Sequence, residues 1–334
     1  MRVTLTHVAQ RAGVSLASAS RALNGESASP RTVEAVARAA KELSYLPDAR
    51  AQSLKLGTTR QLAFAVADVG NPVYVEMMRA VEDTVRAGGY RVLISSTGSR
   101  VEADIELLRG LGRGYADGLI MSPLRITDEF LTELSRLRIP TVIIGNLPPR
   151  IVIDNVRANS AAGVGLAVEH LLRLGRRRIG FINGPLDTTP GRIRGQGFAA
   201  ACRRAGLTGH QVNSVVAEDF TFEAGAAAAQ GLLEQAGGEL DAVVAANDLI
   251  AAGTIHVAFD LGLQIPQDLA IVGMDDSALA SQLHPTLTSV ALGSAVRGRR
   301  AAELLLARLR APEREAQRVV VQPSLVIRHS TSPP

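Results

Sequence analysis

The sequence predicts a small all-α head followed by an α/β core of two doubly wound parallel-sheet lobes. Three observations predict it. The net charge sits entirely in the first 59 residues, two short amphipathic helices there are broken by one glycine, and from residue 60 apolar strands alternate with amphipathic helices.

The chain has 334 residues and a formal charge of +4, with 46% hydrophobic and 20% charged residues. That composition suits two or three folded domains and excludes disordered, collagenous and coiled-coil classes. The single cysteine, Cys202, excludes a disulfide framework or a thiolate zinc site and fits a reducing compartment. It lies within an apparent helix, Phe198-Ala-Ala-Ala-Cys-Arg-Arg, where a small buried filler is expected. No apolar run reaches the roughly 18 residues of a membrane span, so no membrane partner is expected. The N-terminus, Met1-Arg-Val-Thr-Leu-Thr-His, lacks the unbroken apolar stretch of a signal peptide, so a cytoplasmic protein is expected.

Residues 1–59 carry Arg2, Arg11, Arg21, Arg31, Arg38, Lys41, Arg50 and Lys55 against Glu26, Glu34, Glu42 and Asp48. This accounts for the whole +4, and the remainder balances at 28 charges of each sign. A basic head on a neutral body suggests a polyanion at the head. A solvated helix face would carry the same charge, so the helices must decide.

Thr6 is the expected N-cap of a first short helix with Val8, Ala9 and Ala12 on one side. Gly13 stands where that helix must end in a left-handed residue. Ser15 caps a second helix whose Ala19, Ala22 and Leu23 face the first. Two helices of about two turns joined by a glycine turn make a helix-turn-helix. A third helix is expected from Pro30 to Leu43, with Val33, Val36, Ala37 and Ala40 inward. In this motif the start of the second helix meets base edges in the major groove. Those residues are Leu16, Ala17 and, one turn on, Arg21, whose guanidinium suits guanine while the apolar pair suits thymine methyls. Ser18, Ser20 and Asn24 are short donors for the phosphate backbone, with the caps Thr6 and Ser15 beside them.

The run Val-Thr-Leu-Thr-His-Val-Ala-Gln-Arg-Ala-Gly-Val-Ser, continued by Ser-Arg-Ala-Leu-Asn-Gly and by Glu42-Leu-Ser-Tyr-Leu-Pro-Asp-Ala-Arg-Ala-Gln-Ser-Leu-Lys, resembles the LacI/GalR family of bacterial transcription regulators. The resemblance runs along essentially the whole chain. It implies a helix-turn-helix domain at 1–46, a hinge helix and linker at 47–59, and an effector-binding, dimerising core at 60–334. The core would be two periplasmic-binding-protein-like lobes, about 60–156 with 290–319, and 157–289 with 320–330. Residues 47–56 make only a two-turn helix, too short to persist alone in water. In the resembled family such helices pair in the minor groove, where Leu54 would wedge between base pairs beside Ala51 and Lys55. Packing between domains is the alternative for Leu54.

Strands are expected at Leu62–Ala67, Tyr90–Ser95, Gly118–Met121, Thr141–Ile144, Ile179–Ile182, Val212–Val216, Ala242–Ala245 and Ala270–Val272. Helices are expected at 73–87, 101–112, 127–138, 156–174, 191–205, 222–236 and 248–261. Ligands of such sheets bind beyond the carboxyl ends of the strands. The loops there are rich in amides, carboxylates and guanidiniums, which suit a polyhydroxyl ligand. The resemblance carries effector contact onto Arg192 or Arg194, Phe220, Asn247 and Asp275, with Tyr74 near the opening between lobes. Asp248 and Asp276 are as readily helix caps, and binding is favoured over capping for Asn247 and Asp275.

No phosphate loop, His-Glu-x-x-His or Gly-x-Ser-x-Gly motif occurs, and Gly195-Gln-Gly197 falls inside a helix. His170 and His256 sit in helices, packed or solvated. The expectation is therefore no enzyme, no catalytic residue, no cofactor and no metal. The reading is a repressor dimer on a near-palindromic DNA operator in a bacterial cytoplasm, at the nucleoid, controlled by a sugar or related polyol. A nucleobase co-repressor, or a sugar-binding transport protein, is the alternative.

Overall fold

The computed structural model describes residues 3–25, 27–46 and 57–332. Ala51, Leu54 and Lys55 of the expected hinge lie outside the described residues. The contacts divide the chain into two units, Met1–Thr59 and Arg60–Pro334.

The first unit contains α1 (Leu5–Ala12), α2 (Leu16–Leu23) and α3 (Pro30–Glu42). Thr4, not Thr6, caps α1, because its side chain and the ring of His7 close a reciprocal capping box. Thr6 is an exposed residue of the first turn. Gly13 ends α1 at φ 68, and Ser15 caps α2 by accepting from Ser18 N at 3.1 Å. Val8, Ala9, Ala19, Val36 and Ala39 form the core. The inward face of α3 is thus rotated from the expected one: Val33 is 40% exposed and Ala37 is exposed, while Ala39 is buried. An Arg11–Glu42 ion pair of 2.6 Å ties α1 to the end of α3.

The second unit holds two six-stranded sheets. The first sheet is built from β1 (Gln61–Val66), β2 (Arg91–Ser96), β3 (Gly118–Ser122), β4 (Thr141–Ile144), β5 (Asp154–Ala158) and β11 (Arg318–Val321). Their order is β11-β5-β4-β3-β1-β2, parallel throughout. The second sheet uses β6 (Ile179–Asn183), β7 (Val212–Val216), β8 (Ala242–Ala245), β9 (Ala270–Asp275), β10 (Thr288–Ala291) and β12 (Ser324–Val326). Its order is β12-β10-β9-β8-β6-β7, with only β12 antiparallel. Parallel strands need crossovers, and helices supply them. On the first sheet these are α4 (Pro72–Arg86), α5 (Val101–Leu111), α6 (Asp128–Arg136) and α12 (Ser294–Arg310). On the second they are α7 (Ser160–Arg173), α8 (Thr189–Arg204), α9 (Phe222–Ala236), α10 (Asp248–Asp260) and the short α11 (Ala278–Gln282).

β5, β10, β11, β12, α11 and α12 were not expected from the sequence. The helix expected from 156 begins only at Ser160, since 156–158 belong to β5. The chain passes between sheets three times, at 158–160, 291–294 and 321–324, so three adjacent connections join the lobes. Cys202 is buried, and burial pushes its thiol up to about 11, which suits a packing role.

Helix pairs approach closely where glycine removes the side chain. A Cβ on Gly253 of α10 would stand 2.4 Å from Phe222 O of α9. Gly253→Ala therefore gains helix propensity but forces the pair apart, a net loss of about 1–3 kcal/mol. Calorimetric melting is expected to show the lowered Tm; an unchanged Tm would contradict this close contact.

Candidate functional site

In the head, Leu16 is 51% exposed at the start of α2, and Ala17 and Arg21 are exposed on the same helix. Val8, Ala9 and Ala19 hold the opposite faces together. An exposed apolar pair and a guanidinium one turn on thus form one surface. Ser15 Oγ is committed locally, donating to Ser18 Oγ at 2.9 Å. Asn24 Nδ2 donates to Ser20 Oγ at 3.4 Å.

In the core, the carboxyl ends of both sheets open on one cleft of about 120 Å³. Tyr74 comes from α4 and Ser122 from the end of β3, while Arg194, Phe220, Asn247 and Asp275 come from α8 and the ends of β7, β8 and β9. Arg192, on the same helix as Arg194, is exposed and does not line the cleft. A helix turns about 100° per residue, so positions 192 and 194 face opposite ways.

Arg194 is the centre of the second lobe's contribution. Its side chain is 9% exposed, its Nη1 donates to Ala246 O at 2.7 Å, and its Nη2 lies 3.5 Å from Asp275 Oδ1. The guanidinium stands over the Phe220 ring, 5.7 Å from its centroid. Gly184 makes room for that ring: a Cβ there would lie 2.2 Å from it. Burial raises the Asp275 carboxyl, while Arg194 and Arg297 oppose the rise.

Asp275 is held in a left-handed conformation, φ 107, followed by Asp276 at φ 51. Non-glycine residues rarely adopt this backbone, and it persists where neighbours fix it. Asp248 supplies the fixing. Its Oδ2 accepts from Ser277 N at 2.7 Å and Ser277 Oγ at 2.9 Å, and its Oδ1 accepts from Ser289 Oγ at 2.5 Å. Asp248 is therefore neither a helix cap nor a cleft residue; it clamps the turn that aims Asp275.

The cap of α10 is Asn247, whose Oδ1 accepts from Ile250 N at 2.8 Å and whose Nδ2 donates to Phe220 O at 2.9 Å. Capping, the reading not favoured for Asn247, is what its side chain does, although it also lines the cleft. Tyr74 is buried, hydrogen-bonded to Ser122, and pushed up to about 12 by burial. It stays a neutral hydroxyl.

Asn71, Asn146, Asp219 and Arg297 also line the cleft and were missed. Asn71 reads as the cap it is, accepting from Val73 N at 3.1 Å. Arg297 sits in the run Arg297-Gly-Arg-Arg, which resembles a solvated face; only the packing of α12 shows that the first arginine turns inward. Contacts that bridge the lobes include Arg125 Nε to Asp187 Oδ2 at 2.6 Å and Thr189 N to Leu124 O at 2.7 Å. No metal-binding group occurs among the described residues.

Residues 4–48 match the bacterial regulatory proteins of the lacI family, and residues 168–331 match the periplasmic binding protein-like domain. The ribose operon repressor of Halalkalibacterium halodurans is 34% identical over 98% of this chain and 97% of its own. The chain belongs to the lacI family. Among solved structures, the lac repressor dimer bound to operator and the anti-inducer ONPF is 25% identical, with TM-score 0.87 over 99% of each chain. The transcriptional regulator CelR in complex with cellobiose is 31% identical, with TM-score 0.74 over 98% of this chain and 100% of that one. These relatives are regulators rather than enzymes.

Asp248 makes the site sensitive to pH. Burial, aided by Asp275, pushes its carboxyl up from 3.8 to about 7. The folded state then holds this proton more tightly than the unfolded chain. Its stabilising contribution is complete below about pH 4 and is lost as pH rises through about 7. Relative to Asp248→Asn, the wild type should lose stability between pH 5 and pH 8 in urea titrations. A difference that stays flat with pH would refute the assignment.

Proposed function

We propose that this protein is a sequence-specific DNA-binding transcriptional repressor. It acts as a homodimer on a near-palindromic operator, and a sugar or related polyol in the cleft sets its operator affinity. The observation that carries the reading is the joining of two surfaces in one chain. The helix-turn-helix presents Leu16, Ala17 and Arg21, and the cleft is lined by hydroxyls, amides and one buried Arg–Asp pair. The first suits base edges; the second suits a ligand of directed donors and acceptors. The ribose operon repressor and the CelR complex with cellobiose support a sugar. The operator-bound lac repressor dimer supports a two-fold DNA partner. A DNA-bound regulator acts in the bacterial cytoplasm, at the nucleoid.

A flat nucleobase fits less well, because the Phe220 face it would stack on is already covered by Arg194. The effector works by favouring one lobe arrangement over another, which takes only a few kcal/mol of differential affinity.

Arg21→Ala should weaken binding to the cognate operator by ~1–3 kcal/mol in fluorescence anisotropy. An equal loss on random DNA would remove its base-reading role. Arg194→Met should abolish effector binding in calorimetry while operator binding by the effector-free protein stays intact. Retained effector affinity would overturn the cleft assignment.

A further inference from the structure

The cleft holds one more charged group than its own contacts satisfy. Arg297 enters from the first lobe, in the second turn of α12, and lines the same cavity as Arg194, Tyr74 and Asp275. Its Nε and Nη2 are buried, and neither has a hydrogen-bond partner. Arg194 faces Asp275 at 3.5 Å, whereas Arg297 forms no ion pair with any described residue. Asp275 and Glu76 act on it only from a distance.

The two cleft carboxylates nearer the rim are occupied or exposed. Asp219 accepts from Phe220 N at 2.7 Å, and Asp68, exposed, accepts from Gly70 N at 2.8 Å. Arg297 also has little freedom to leave. The next residue, Gly298, packs so tightly on α4 that a Cβ would stand 2.4 Å from Met77 O.

Nε and Nη2 form one edge of the guanidinium, the pair of parallel donors that grips two oxygens of a carboxylate or phosphate. Arg194 adds a third buried donor without a partner, its Nε. A buried cation with free donors is costly until something anionic meets it.

We propose that the effector is a monosaccharide bearing an oxyanion, a sugar acid or a sugar phosphate, whose charged group is clasped by Arg297. Its hydroxyls face Tyr74, Ser122 and the Arg194–Asp275 pair. This deepens the sugar-effector reading and rests on it. The charged group meets Arg297 of the first lobe, while the hydroxyls reach Tyr74 and Ser122 of that lobe and the Arg194–Asp275 pair of the second, so the ligand spans the cleft. A neutral sugar leaves the Arg297 edge unmet and binds more weakly.

The test is calorimetry and thermal shift on the full-length wild type. The probes are ribose, ribonate and ribose 5-phosphate, with glucose, gluconate and glucose 6-phosphate alongside. At least one anionic probe should bind ten-fold or more tightly than its neutral parent. A tighter aldonate assigns a carboxylate, and a tighter phosphate ester assigns a phosphoryl group. Arg297→Met should erase that preference, and Arg297→Lys should keep part of it. If Arg297→Met fails to fold, the wild-type comparison still decides. A neutral sugar that binds as tightly as its anionic partners overturns the proposal and leaves the sugar-effector reading standing. If no carbohydrate binds, charged or neutral, both fall.

Discussion

The core of this protein is organised around a guanidinium held out of water. Arg194 reaches the carbonyl after β8, the ring after β7 and the carboxylate at the end of β9. One side chain thus ties together the ends of three strands. Breaking such a buried pair by removing one partner typically costs about 3–5 kcal/mol. The pair therefore fixes the cleft wall before any ligand arrives. Gly184 is small to admit the ring, Asn247 binds the Phe220 carbonyl, and the Asp248 clamp holds Asp275 on strained backbone. Each is a support for that single charge.

The head follows a different rule. Its core is five small or branched apolar residues, and α1 is tied to α3 by an exposed ion pair of modest value. What it presents outward is set by phase and by helix ends: Ala17 and Arg21 lie across the helix from the buried Ala19, and Leu16 is exposed at the first position of α2.

Strands buried on both faces were legible because they are near-continuous apolar runs, as Leu62–Val66 and Ala242–Ala245 show. Two of the missed strands, β5 and β10, are polar and buried by specific partners, whereas β11 and β12 are short and partly exposed. Thr288 and Ser289 of β10 are satisfied by Ser330 and Asp248, and Asp154 of β5 by Arg308 at 2.9 Å. Such partners are distant in sequence, so no local pattern announces them. In the same way, the resemblance points to Arg194 and Asp275 as cleft residues, but separating Arg194 from Arg192 needs the helix phase. The roles of Asp248 and Arg297 needed the tertiary packing. The expected inward face of α3 failed by rotation, a small error that moved Val33 and Ala37 from core to surface.

The three chain crossings between the sheets have a thermodynamic consequence. Lobes joined by one linker gain much conformational freedom on separating, and a ligand must work against that entropy to close them. Three short connections side by side, at 158–160, 291–294 and 321–324, leave little beyond a bending coordinate. Opening then releases few new chain conformations. Contacts that cross between the lobes, Arg125–Asp187 and Thr189–Leu124 among them, then carry much of the balance between open and closed arrangements. A monosaccharide that touches both lobes is large enough to tip such a balance.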